Sequence, residues 1–182
     1  MRFPRLLPDD PEIGWTPYAW LIYLTSFLAW PAMRRASALE WALTVAGTVV
    51  FLALYFWGYW LEGRKILWAA GGILLLGVLF APWNPGAATF FIYAAAFLAD
   101  AGSPRFAWSL LGVMLAVLAL ETPLAHLSPY AWAPAAVFSL VIGGISIHAA
   151  EVRRANAKLR MAHEEIERLA QTAERERIAR DL

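Results

Sequence analysis

The sequence predicts an all-α fold: a polytopic membrane helix bundle of about six spans that continues into a cytoplasmic helical coiled coil. Three observations predict it. Of 182 residues, 60% are hydrophobic and 16% charged, where a soluble domain carries about a quarter charged. The apolar residues gather into runs, several of them near the roughly 20 residues that cross a hydrocarbon core as a helix. After Ala150 the character changes: eight of the 15 Lys+Arg and seven of the 14 Asp+Glu lie there.

That shift sets the organisation. A transmembrane domain covers 1–150, a coiled-coil linker 151–173, and a last charged helical segment 174–182. The net charge of +1 argues against a nucleic-acid binder, which presents a basic face. The absence of cysteine removes disulfides, thiol catalysis, Cys-based zinc sites and palmitoylation. The opening MRFPRLLPDDPEIG has no apolar core long enough for a cleavable signal peptide, so the run from Trp15 reads as a retained span.

Six apolar runs follow, at 15–33, 41–61, 66–80, 86–99, 106–120 and 130–150. The first, second and sixth are long enough to span. The third and fourth are short and joined by APWNPG; they read as two short spans or one re-entrant hairpin. A five-span arrangement with the N-terminus outside stays open if a middle run does not cross. In the six-span arrangement the Lys and Arg of short loops put Arg2, Arg5, Arg64, Lys65 and Arg105 inside with both termini. Arg34 and Arg35 then fall outside, against the rule. Trp15, Tyr18, Trp30, Trp41, Tyr59, Trp60, Trp83, Tyr130 and Trp132 mark the run ends as an aromatic belt.

No proline follows Pro134, so the last span can continue as helix into the charged tail. Val152, Ala155, Leu159, Ala162, Ile166, Leu169 and Ala173 recur at alternating intervals of three and four. That is a heptad seam, weakened by its Val and three Ala. It predicts a two-stranded parallel coiled coil over a long single amphipathic helix. Continuing the heptad would put Glu176 and Arg180 in the seam, so its phase must change between Gln171 and Arg177. Such a change locally unwinds or overwinds a coiled coil.

No active site is legible in the membrane part. Glu62, Asn84, Asp100, Glu121 and His148 fall at run ends or turns, where they are expected to reach headgroups or water. A row of carboxylates inside a span is missing, which disfavours a proton or ion transporter. His126, His148 and His163 are too scattered to assume a metal site. The pairs Gly71–Gly72 and Gly143–Gly144 read as helix packing. Ala135, Ser139 and Gly143 make a small-xxx-small face, which points weakly to a dimer through the last span.

The final segment ERERIARDL carries a resemblance. It is similar to the start of the phosphoacceptor helix in bacterial sensor histidine kinases of the DesK/NarL-partner class, whose pattern is Glu-Arg-x-Arg-Ile-Ala-Arg-Asp/Glu-Leu-His-Asp. Glu174, Arg175, Arg177, Ile178, Ala179, Arg180, Asp181 and Leu182 fit it, with Glu176 at the free position. YFWGYW and NPGAATFFIYAAAF resemble the sensor halves of those kinases less specifically.

The resemblance implies the membrane sensor and signal-transmission part of a two-component histidine kinase. It implies a multi-pass protein of the bacterial inner (cytoplasmic) membrane with a cytoplasmic C-terminus. It implies a homodimer through the last span and coiled coil, contact with membrane lipids, and a response regulator as partner of the full-length protein. In that family the next residue is the phosphoacceptor histidine. This chain stops one residue short, so no catalytic, cofactor-binding or metal residue is expected in it. ATP and Mg belong to the kinase core that would follow. The family suggests temperature or bilayer thickness as the cue, which short third and fourth spans would feel through hydrophobic mismatch. Two other readings stand beside this one: a membrane anchor or scaffold with a coiled-coil tail, and a small transporter.

Overall fold

The computed structural model describes residues 6–8, 14–124 and 129–181, and the described residues are helical with no strand among them. Four helices are long and apolar enough to cross a membrane: Ala38–Gly58, Gly63–Phe80, Pro104–Leu124 and the apolar part of Trp132–Ala173. These correspond to the second, third, fifth and sixth runs. The third gains length because a 3-10 turn, Gly63–Lys65, precedes it. The chain divides into two units, Met1–Ile147 and His148–Leu182.

The first run is not one unbroken helix. It folds as α1 (Thr16–Trp20), a 3-10 turn (Leu21–Leu24) and α2 (Thr25–Met33), and it is not among the four membrane-length helices. Each irregularity frees carbonyls, and side chains from later helices take them up. Tyr55 Oη donates to Pro17 O at 2.9 Å, Tyr93 Oη to Trp20 O at 2.7 Å, and Thr89 Oγ1 to Tyr23 O at 3.0 Å. Pro31 lies inside α2 and has no N–H, so the carbonyl of Phe27 has no ordinary helical donor four residues on. Asn84 Nδ2 supplies one at 3.0 Å.

The turn from α2 to α3 is built by two caps. Ala36 N donates to Pro31 O at 3.1 Å while Arg35 takes φ +52, a left-handed helix ending that usually falls to glycine. Ser37 then caps α3 (Ala38–Gly58): its Oγ accepts from Glu40 N, and Glu40 Oε2 accepts from Ser37 N at 2.7 Å. This capping box satisfies donors at both ends of the first helical turn. Thr44, Gly47, Phe51, Tyr55 and Gly58 form the buried face of α3, at helical spacing. Val45, Val49 and Val50 lie exposed on other faces, as a lipid-facing surface requires.

The α4 helix (Ile66–Phe80) buries Ile66, Ala69, Ala70, Ile73 and Gly77. The turn that follows is held by Asn84, whose Oδ1 accepts from Gly86 N at 3.0 Å. Gly86 lies directly against the backbone of Ser26 and Phe27, where a Cβ has no room. With its flanking 3-10 turns, α5 (Thr89–Phe97) extends over Pro85–Asp100. At about 1.5 Å per residue that is short of the roughly 30 Å hydrocarbon core. Almost all of its side chains are buried, so α5 is the centre of the unit and not a lipid-facing span.

An aromatic column joins these helices. Phe27 of α2 packs on Phe90 of α5 at 4.8 Å, and Phe90 on Phe51 of α3 at 5.1 Å. Phe51 meets Tyr93 at 4.6 Å, Tyr93 meets Tyr55 at 5.4 Å, and Tyr55 meets Phe97 at 5.8 Å. The tilted and edge-on angles are those that aromatic quadrupoles favour. Tyr59 closes the column on Phe97 at 5.4 Å, so it is a packing residue more than a belt anchor. Trp15, Trp60 and Trp83 are exposed.

The α6 helix (Pro104–Leu124) buries Ala107, Leu111, Met114, Leu118 and Glu121 on one face. The α7 helix runs from Pro129 to Asp181. Within the first unit its buried positions include Ala135, Ser139, Gly143 and Ile147. A Cβ on Gly143 would stand 3.0 Å from Leu111 and 3.3 Å from Ala95. The small-residue face is therefore spent on packing inside the chain, which removes it as an argument for a dimer.

Candidate functional site

Two places hold the residues of interest: the tail helix, and one end of the apolar unit. The second unit, His148–Leu182, is helical throughout its described length. Val152, Ala155, Leu159, Ala162, Ile166, Leu169 and Ala173 share one stripe of α7 by their spacing, and all are exposed. Leu159, Ile166 and Leu169 are each at least 60% accessible. Polar residues flank the stripe; His163 Nε2 lies 3.3 Å from Glu167 Oε1, one turn on. A largely polar helix with an uncovered apolar stripe lacks the packing that ordinarily stabilises long helices in water.

The motif residues Glu174, Arg175, Arg177, Ile178, Ala179, Arg180 and Asp181 continue α7. Arg175 and Arg177 are exposed. The side chains of Glu174, Ile178, Ala179, Arg180 and Asp181, and all of Leu182, lie outside the described residues, as does His126. Among the described residues no group of three or more His, Asp or Glu could hold a metal ion.

The polar residues expected at run ends separate into two kinds. Glu62, Asp100 and His148 are exposed. Asn84 and Glu121 are buried, which corrects the expectation that they reach headgroups or water. Asn84 is turned inward because its amide serves the Phe27 carbonyl and the Gly86 N–H together. Glu121 is 7% accessible. It follows 107, 111, 114 and 118 on the packed face of α6, which extends three residues beyond it. Both carboxylate oxygens are covered and have no hydrogen-bond partner among the described residues. Ser139 Oγ on α7 is in the same condition.

The end of α2, the start of α3 and the end of α4 enclose an open groove of about 430 Å³, counting the part that opens to solvent. Trp30, Arg34, Glu40, Leu43, Phe80 and Trp83 are among its walls. The Arg34 guanidinium sits over the Trp30 ring at 5.6 Å, a cation–π contact. Sequence reasoning registered Arg34 and Arg35 only as an exception to the charge rule. The signal that could have located the groove is Pro31: it predicts an orphan carbonyl at Phe27, hence a polar side chain docking there.

Comparison with protein-family models, with curated proteins and with solved structures finds no match for this chain.

Proposed function

We propose that the chain is the sensor and signal-transmission part of a bacterial membrane histidine kinase of the DesK/NarL-partner class. The observation that carries this reading is that residues 174–181 of the motif stand on the same helix, α7, as an apolar span and an exposed heptad stripe. In this reading the apolar unit crosses the inner membrane, the tail is cytoplasmic, and two copies pair through the stripe from Val152 to Ala173. A cue in the bilayer shifts helix packing in the apolar unit. The tail passes that shift to the kinase core, and a response regulator receives the phosphoryl group. The number of crossings is four to six, depending on whether the α1–α2 segment and α5 with its flanking turns reach both surfaces.

A coil with two packings that differ by a few kcal/mol suffices as the switch. Alanine at 155, 162 and 173 keeps the pairing weak enough to change state. The scaffold reading explains the spans and stripe but leaves the nine-residue motif without a role. The coding sequence past the codon for Leu182 decides between them. A histidine followed by an acidic residue and an ATP-binding domain is expected. A stop codon or an unrelated domain overturns the kinase reading.

A further inference from the structure

We propose that the groove between α2, α3 and α4 binds the anionic headgroup of a bilayer phospholipid, with Arg34 as the phosphate ligand. The inference rests on the groove and on the membrane character of the unit. It does not depend on the kinase reading.

Arg34 is exposed and lines the groove, and among the described residues it has no carboxylate partner. The Trp30 ring lies against its guanidinium, an arrangement that leaves N–H donors for two oxygens of a phosphate. A helix C-terminus favours a cation by itself. That accounts for a basic residue there but not for its placement on a groove wall. The carboxylate lining the groove belongs to Glu40, and its Oε2 is held by Ser37 N at 2.7 Å and Ser37 Oγ at 3.3 Å. Arg35, next in sequence, is exposed and adds a second positive charge.

The other walls are what favour a lipid over a free anion. Leu43 and Trp83 line the groove and are 40% and 46% accessible, and Phe80 lies beside them. Leu43 also belongs to α3, whose Leu39 and Val50 are exposed. The polar end of the groove is thus continuous with an apolar helix surface that an acyl chain can follow. A soluble phosphate would use Arg34 and leave that wall wet. In the six-span arrangement the same placement gives a role to the two arginines that fall outside against the charge rule: they answer a headgroup layer.

The test is native mass spectrometry of the full chain released from nanodiscs of phosphatidylglycerol and phosphatidylcholine in equal amounts. Phosphatidylglycerol is expected to be retained in preference. R34Q should lower its occupancy about fivefold, the effect of one basic residue at an anionic surface, and R105Q, a charge change elsewhere, should leave it unchanged. E40Q keeps the cap, since Gln serves at that position, and should raise occupancy. Equal retention of both lipids overturns the proposal. So does an R34Q chain that binds like the wild type, an R105Q chain that loses as much, or an E40Q chain with no gain. Displacement of the lipid by excess inorganic phosphate would make this a soluble-anion site and overturn the choice of a lipid.

Discussion

The side-chain amide of Asn84 donates to the main-chain carbonyl of Phe27 at 3.0 Å, and it does so where Pro31 has removed the helix's own donor. The two features are halves of one arrangement. Without Asn84 the carbonyl would be buried and orphaned, which costs about 1–3 kcal/mol. N84A is therefore expected to lower stability by about that amount. P31A would give Phe27 an ordinary backbone partner, so N84A should cost clearly less in a P31A background. A double-mutant cycle of unfolding in bicelles checks this. A coupling energy indistinguishable from zero would separate the proline from the asparagine.

The aromatic column makes a second prediction. Phe51 is fully buried and touches Tyr55, Phe90 and Tyr93. Lipid is as apolar as the protein interior, so removing the ring forfeits packing contacts and not shelter from water. F51A should therefore destabilise by no more than the about 3–5 kcal/mol of water-soluble cores. V49A, on an exposed face of α3, should be nearly neutral. Similar losses for both would mean that the column is not the core.

How much of this was legible in the sequence follows from the same physics. The apolar runs showed where helices lie, because 3.6-residue periodicity and run length survive any packing. They did not show that α5 is enclosed, since a helix apolar all round reads the same against lipid as against protein. The break at Leu21–Leu24 was equally hidden: the carbonyls of Pro17, Trp20 and Tyr23, before and within it, are satisfied by Tyr55, Tyr93 and Thr89, dozens of residues away. Glu121 falls just past the fifth apolar run and so reads as a run-end residue, yet 107, 111, 114, 118 and 121 share one helical face. At the tail, the stripe could be read directly, because spacing alone determines which residues share a face.

Glu121 makes a third prediction. Burying a charge without a partner is expensive, and neither carboxylate oxygen has one among the described residues. E121Q preserves shape and removes the charge, so it should be neutral or stabilising. E121K sets an ammonium on the same packed face and should destabilise by several kcal/mol. Unfolding midpoints of the two variants are the measurement. A marked loss of stability in E121Q would mean that the carboxylate is matched by a cation and would sink this account.

The exposed stripe of α7 is the feature on which the signalling proposal is most open to attack. The sequence holds no cysteine, so single cysteines placed along 152–173 report proximity without background. Cross-linking in membranes should peak at Leu159, Ala162, Ile166 and Leu169 and fall at Glu164 and Glu167, with the 3.5-residue period of a coiled coil. A flat profile would mean that the tail stays a single helix. If the peaks are found, replacing Ala155, Ala162 and Ala173 with leucine should strengthen pairing and hold a fused kinase core in one output state. The reason is the seam itself: alanine at three of its seven positions leaves little packing to hold one arrangement over another, and leucine at those positions would deepen one of them. A triple variant that still responds to its cue would place the switch elsewhere than in the coil.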